Sequence, residues 1–197
     1  MPMLHRPDHP NGSAIVLTHG AGSSSDAPLL VRLAADFCEA GYFVLRYDLP
    51  FRIAGKAPSP AQAVHDREGV REAVAEARKF TKGRIIAGGH SYGGRQTAMA
   101  AAETQGLADG LLLLSYPLHP PGNPEKMRTD YFPNLETPAL FVHGSRDPFG
   151  TLADLTAAVK AIPARTEVLP IEGAAHDLKK AINRAADILA RLESLLR

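Results

Sequence analysis

Ile85-Ile86-Ala87-Gly88-Gly89-His90-Ser91-Tyr92-Gly93-Gly94 is an apolar run that ends in a serine flanked by glycines, and the segment after it, Ala98 to Glu103, is rich in helix formers. A strand entering Gly89-His90-Ser91-Tyr92-Gly93 and a helix leaving it is the context in which a G-x-S-x-G pattern marks a nucleophilic serine. The Ser91 hydroxyl projects above a sheet only if the chain reverses very tightly, which crowds any side chain two residues to either side. Glycine at 89 and 93 removes that crowding. The competing readings are a phosphate-binding glycine loop and a plain turn.

A serine hydroxyl is a weak nucleophile at neutral pH, so Ser91 needs a base, an acid to orient that base and donors for an oxyanion. A serine on such a turn is followed in the chain first by the acid and then by the histidine. Pro138 to Val142 reads as a strand, and His143-Gly144-Ser145-Arg146 turns to deliver Asp147 ahead of Pro148. The preceding strand, Gly110 to Leu118, carries no carboxylate at its end, Asp154 falls on the following helix, and Glu172 lies close to the histidine loop. Asp147 is therefore the expected acid, against the alternative of an Asx turn capping the helix at 151–162. Beyond Asp147 the chain holds one histidine, His176, in the small-residue loop Glu172-Gly173-Ala174-Ala175-His176-Asp177-Leu178. Its imidazole can reach Ser91 with one nitrogen and Asp147 with the other. The alternative is an exposed histidine in a helix-capping loop.

The oxyanion donors are expected from backbone N–H groups of Tyr92, after the nucleophile, and Ala21, in the glycine-rich turn Thr18-His19-Gly20-Ala21-Gly22 after an earlier strand. That turn lacks the Gly-Lys-Ser/Thr of a nucleotide-binding loop. His19 and His143 precede glycines at strand ends and read as turn-ordering side chains, while His90 is expected to point away from Ser91. The spacing of the histidines matches no zinc pattern, so neither a metal nor another cofactor is expected.

The 197 residues suit one domain, 45% of them are hydrophobic, and the formal net charge is +1 with Lys and Arg scattered along the chain. That balance argues against nucleic acid or an anionic membrane as the main partner. Cys38, the only cysteine, falls in the apolar pattern of 29–40 and reads as a buried thiol. No signal-peptide core or membrane-length apolar run is visible, which makes the cytoplasm the expected location. Strands are expected at 14–19, 42–48, 84–89, 110–116, 138–143 and 166–170, and helices near 26–40, 61–81, 92–106, 151–162 and 177–196. Such alternation, with apolar strands, predicts an α/β fold whose mostly parallel sheet is covered on both faces. Ser91, Asp147 and His176 then all follow strand ends, where open α/β sheets bind ligands.

These motifs, THGAG at 18–22, GGHSYGG at 88–94, HGSRDP at 143–148 and GAAHDL at 173–178, together resemble the alpha/beta-hydrolase superfamily, and within it the small, capless dienelactone-hydrolase-like members. The resemblance extends from Ser13 onward. The segments 116–128 and 132–150 also look like a narrower group of short hydrolases related to a testis-expressed protein and to a subunit of a histone-acetylating complex. The resemblance implies a three-layer sandwich of about six strands without a cap, spanning 1–197 as a single domain with 1–12 as an irregular extension. It also implies Ser91 as nucleophile, His176 as base, Asp147 as acid and an acyl-enzyme intermediate. The expected activity is hydrolysis of a small-molecule carboxylic ester or thioester. A peptidase or lactone hydrolase is the alternative within that class, and a non-catalytic scaffold on the same fold the alternative outside it.

Two features depart from the larger hydrolases. No antiparallel strands are expected before Ser13, which leaves 42–49 as a sheet edge to be covered by the N-terminus in a monomer or used in a homodimer, with Arg46 and Asp48 as charges opposing edge pairing. The segment 117–136 is short and proline-rich, so Lys126 and Arg128 read as solvated rather than as contacts for an anionic substrate, and Arg46 and Arg95 read the same way.

Overall fold

The strand Gly110–Leu114 is a glycine followed by four leucines, all buried. A run that apolar is stable only if both faces of its sheet are covered. The computed structural model describes residues 2–197 and shows that arrangement. Seven strands, β1 (Met3–His5), β2 (Ala14–Thr18), β3 (Phe43–Arg46), β4 (Ile85–His90), β5 (Gly110–Leu114), β6 (Ala139–Gly144) and β7 (Thr166–Ile171), form one sheet in the order β1-β3-β2-β4-β5-β6-β7. All neighbours are parallel except β1 and β3. Helices α1 (Pro28–Glu39) and α6 (Ala185–Leu195) cover one face. The short α2 (Pro50–Ile53), with α3 (Pro60–Ala77), α4 (Tyr92–Glu103) and α5 (Leu152–Ala158), covers the other.

The two-residue period of the strands divides the core. Val16, Ala87, Leu111, Leu113 and Phe141 pack with α3 and α4, whereas Ile15, Leu17, Leu112, Leu114 and Val142 pack with α1 and α6. Cys38 is only partly buried at the edge of the second cluster. The chain leaves β2 for β3 on one side and returns to β4 on the other, so β2 and β4 border the point where strand order reverses. The carboxyl ends flanking that point form a crevice, and both β2 and β4 end there in the glycine-rich turns singled out above.

Three further expectations need correction. The sheet has seven strands rather than about six, because Met3–His5, inside the stretch expected to be irregular, pairs antiparallel with β3 in the register Met3 with Arg46, Leu4 with Leu45 and His5 with Val44. The N-terminus thus covers the edge of β3 as a strand of its own. Arg46, read as solvated, is 4% exposed and ties this corner together: Nε donates to His5 Nε2 at 3.0 Å, and one terminal nitrogen bonds the Ser25 carbonyl and Asp26 Oδ1, the latter at 3.2 Å. The last helix is also broken. Leu178 takes a left-handed conformation (φ +49°), a 3-10 segment runs over Lys179–Asn183, and the α-helix begins only at Ala185. Segment 117–136 contains a single 3-10 turn, Phe132–Asn134, and builds no helical cap over the strand ends.

Candidate active site

Ser91 joins β4 to α4 at φ +51° and ψ −116°, a conformation unfavourable for any residue with a β-carbon. Such a geometry costs on the order of 1–3 kcal/mol and persists only where its surroundings impose it. Here the Ser91 N–H donates to the Leu114 carbonyl of β5 at 2.8 Å, while its own carbonyl accepts the first α4 bond from Arg95 N–H at 3.0 Å. The glycines are needed for the expected reason. A β-carbon on Gly89 would lie 2.7 Å from the Thr18 carbonyl oxygen, and one on Gly93 would strike the His19 carbonyl and come within 2.7 Å of Thr18 Cγ2. The helix can start this close to β2 only without side chains at those positions.

The loops after β6 and β7 dock on each other through backbone bonds, Ser145 N–H to the Ile171 carbonyl at 3.1 Å and Arg146 N–H to the Ala174 carbonyl at 2.9 Å. The Ser145 hydroxyl also accepts from Gly173 N–H at 2.8 Å and donates to Glu172 at 3.1 Å. This docking brings Asp147 and His176 together. His176 Nδ1 lies 2.8 Å from Asp147 Oδ2 and 3.0 Å from Oδ1, and His176 Nε2 lies 2.7 Å from Ser91 Oγ. Asp147 Oδ1 accepts a further bond from Phe149 N–H at 2.9 Å. Burial pushes the Asp147 carboxyl up, but the hydrogen bond and charge of His176, the Phe149 amide and the nearby His143 together outweigh it and hold the group below the usual aspartate value. Asp147 therefore stays ionised at neutral pH, and His176 presents Nδ1–H to it and a free lone pair on Nε2 to the serine. The Asx turn considered for Asp147 is present too, as the bond to Phe149, while α5 is capped by the Thr151 hydroxyl, which accepts from Asp154 N–H at 3.1 Å.

The turn after β2 lies directly over Ser91, since a β-carbon on Gly20 would sit 3.4 Å from Ser91 Cβ and 3.1 Å from His90 Nδ1. Ala21 is the next residue, exposed at the lip of the crevice. Tyr92 opens α4, where first-turn amides have no acceptor within the helix. Its phenol is anchored by Asp66, which accepts from Tyr92 O–H at 2.7 Å and from Phe51 N–H at 2.9 Å. Burial, then the bond to Asp66 and its charge, keep that phenol protonated well above the ordinary tyrosine range. His19 orders the turn: its Nε2 accepts from Leu49 N–H at 3.1 Å, which requires Nδ1 to carry the proton and donate to the Gly20 carbonyl at 2.8 Å. His143 orders the other, bonding the Gly150 carbonyl at 2.9 Å.

Some neighbours of this constellation escaped the sequence reading. His90, expected to point away, instead donates from Nε2 to the backbone carbonyl of His176 at 2.7 Å and so fixes the histidine loop. Phe149 stacks on the His176 ring, centroids 4.1 Å apart. The only signals for them were adjacency, His90 before Ser91 and Phe149 just beyond Asp147. Beyond His90 lies a mostly apolar cavity of about 230 Å³ lined by Gly20, Leu29, Leu30 and Ile182 among others. A larger hollow of about 500 Å³ between β1, α2 and α3 includes none of Ser91, Asp147 and His176. Among the described residues, no group of three or more His, Cys, Asp or Glu side chains is placed to hold a metal ion, and no helix is long and apolar enough to cross a membrane.

Comparison with known proteins agrees with this architecture. A structure from Thermus thermophilus, TT1662, is 23% identical and superposes with a TM-score of 0.78 over 100% of this chain and 93% of that one. A dienelactone hydrolase from Anabaena variabilis is 20% identical, with a TM-score of 0.77 over 100% and 92%. Est1E from Butyrivibrio proteoclasticus, in a structure with ferulic acid bound, is 18% identical, with a TM-score of 0.77 over 100% and 95%. At these identities the likeness establishes a shared fold. Residues 11–195 match the family described as alpha/beta hydrolase domain, which covers nearly the whole chain, and the protein belongs to that family.

Proposed function

We propose that the protein is a serine hydrolase that cleaves a carboxylic ester or thioester of a small molecule through an acyl-enzyme. One observation carries the reading: Ser91 Oγ, on a strained turn, lies 2.7 Å from His176 Nε2, whose other nitrogen lies 2.8 Å from the ionised Asp147. Ser91 attacks the substrate carbonyl as His176 takes its proton, and Asp147 stabilises the imidazolium that forms. The backbone N–H groups of Ala21 and Tyr92 receive the oxyanion. His176 then protonates the leaving group, and water activated by the same imidazole attacks the acyl-enzyme and releases the acid. Every proton in this sequence is moved by the chain's own groups. The small cavity beyond His90 suits a short acyl chain or a compact leaving group, in keeping with the absence of a helical cap.

A fluorophosphonate probe tests the reading together with p-nitrophenyl esters and acyl thioesters of graded length. Labelling confined to Ser91, with turnover that disappears in Ser91→Ala, is expected. A correctly folded protein that neither labels nor hydrolyses any member would instead be a scaffold on a hydrolase fold.

A further inference from the structure

Fifteen arginines occur in the chain. Six of them, including the buried Arg46, lie within ion-pair distance of a carboxylate. Seven more are exposed. Arg95 and Arg128 are the two that are partly buried and, among the described residues, have no carboxylate partner. Withdrawing a cation from water without a counter-charge is costly, and two such cations side by side repel as well.

Both stand on segments that leave neighbouring strand ends, Arg95 on α4 after β4 and Arg128 in the segment after β5. Arg95 starts one turn after the nucleophile, its N–H bonded to the Ser91 carbonyl, and helical side chains lean toward the N-terminal end of their helix, here the Ser91 end. Its Nε is buried with no acceptor among the described residues. The backbone of Arg128 is tied to the His176 side of the site. Its N–H donates to the Leu118 carbonyl at 2.8 Å, the adjacent His119 N–H donates to the Phe149 carbonyl at 3.0 Å, and the Phe149 ring stacks on His176. Its carbonyl accepts from the Tyr116 hydroxyl, which also bonds the Tyr131 hydroxyl at 2.6 Å. Tyr116 in turn lies two residues past Leu114, whose carbonyl holds the Ser91 amide. Arg128 responds to its surroundings: burial first, then the charge of Arg95, lowers its proton affinity.

Arg128 Nη1 donates to the Pro117 carbonyl at 3.4 Å, but neither guanidinium meets a carboxylate among the described residues, whereas an oxyanion bound by their planar donor forks would neutralise both. We infer that Arg95 and Arg128 form a receptor for an anionic group of the substrate, a carboxylate or a phosphate, beside Ser91. The inference rests on the hydrolase reading and narrows it to acidic esters or thioesters. Segment 117–136 is then a specificity element anchored by buried Tyr116, Leu118, Phe132 and Leu135, rather than a solvated connection.

The test compares matched substrates: p-nitrophenyl hydrogen glutarate against its methyl ester for an anion on the acyl side, and 4-carboxyphenyl acetate against phenyl acetate for one on the leaving group. Wild-type protein should prefer the anionic member of one pair by about tenfold or more in kcat/KM, the scale of one charge-assisted hydrogen bond, and Arg128→Gln should reduce that preference about tenfold, chiefly through KM. A preference below twofold in both pairs, or one that Arg128→Gln leaves intact, overturns the inference. A second measurement needs no turnover. At constant ionic strength glutarate or inorganic phosphate should raise the Tm of the wild type but not of the Arg95→Gln/Arg128→Gln double variant, which without ligand should melt at or above the wild-type temperature. An equal response of both proteins, or none, counts against the receptor. Hydrolysis without preference and without this Tm response removes the inference and leaves the hydrolase; a response lost in the double variant, in a protein that cleaves no ester, does the reverse.

Discussion

Replacing Asp147 by Asn should remove most activity while leaving the fold in place, and the structure says which way the new amide must face. Oδ1 of Asp147 accepts from the Phe149 backbone N–H at 2.9 Å, so the asparagine must keep its oxygen there. Its NH2 then occupies the position of Oδ2, which faces His176 Nδ1 at 2.8 Å. Two donors cannot share that contact, so His176 must move its proton to Nε2, the nitrogen 2.7 Å from Ser91 Oγ. In that tautomer the imidazole has no lone pair to take the serine proton. The corresponding change in a serine protease, where the histidine is likewise held in the wrong tautomer, costs about 10⁴ in kcat, or about 5.5 kcal/mol of barrier. Stability should change far less than activity, because the Phe149 bond and the packing around it survive. Steady-state hydrolysis of a p-nitrophenyl ester at neutral pH, with the rate of fluorophosphonate labelling and a melting curve alongside, measures all three. A folded Asp147→Asn protein that loses less than tenfold would refute the assignment of the acid and turn attention to Glu172 or Asp154.

Gly93→Ala should destabilise the protein by about 1–3 kcal/mol despite the better helix propensity of alanine, because the added carbon meets the His19 carbonyl and Thr18 Cγ2; a denaturant midpoint equal to wild type would show that the elbow tolerates a side chain. Acid should weaken the fold in two stages. Burial holds His5, His19 and His90 below the ordinary imidazole value of 6.5, so as pH falls past 6.5 the unfolded chain binds protons that the native state refuses, and stability declines. Asp147 adds a second loss as pH falls below its ordinary value of 3.8, and none of these four groups changes stability at higher pH, so a urea midpoint that stays constant from pH 7 to 5 would contradict the histidine stage. Deleting residues 1–10 strips β1 from β3 and leaves Arg46 without His5; light scattering should then report self-association through the exposed edge, and an unchanged monomer would deny the N-terminus its shielding role.

Much of the molecule is legible in the chain because its strongest demands are local. A turn that permits no side chain at 89 and 93 writes glycine there, and strands buried on both faces write runs such as Gly110–Leu114. The order of Ser91, Asp147 and His176 after β4, β6 and β7 follows from those elements and needs no knowledge of distances. What the tertiary structure decided are contacts between residues far apart in sequence. The three-residue strand Met3–His5 is too short to show a period, and only pairing with β3 makes it a strand. Charge alone made Arg46 look solvated, because composition cannot show that His5, Ser25 and Asp26 converge to receive it. His90 carries no local mark of the bond it makes to the His176 backbone. Arg95 and Arg128, read from sequence as two separate solvated side chains, are both partly buried, and the charge of one reaches the other because α4 packs against the segment after β5. Backbone geometry is imposed within a few residues and can be read there, whereas the partner of a polar side chain is set by which strand ends the sheet order brings together.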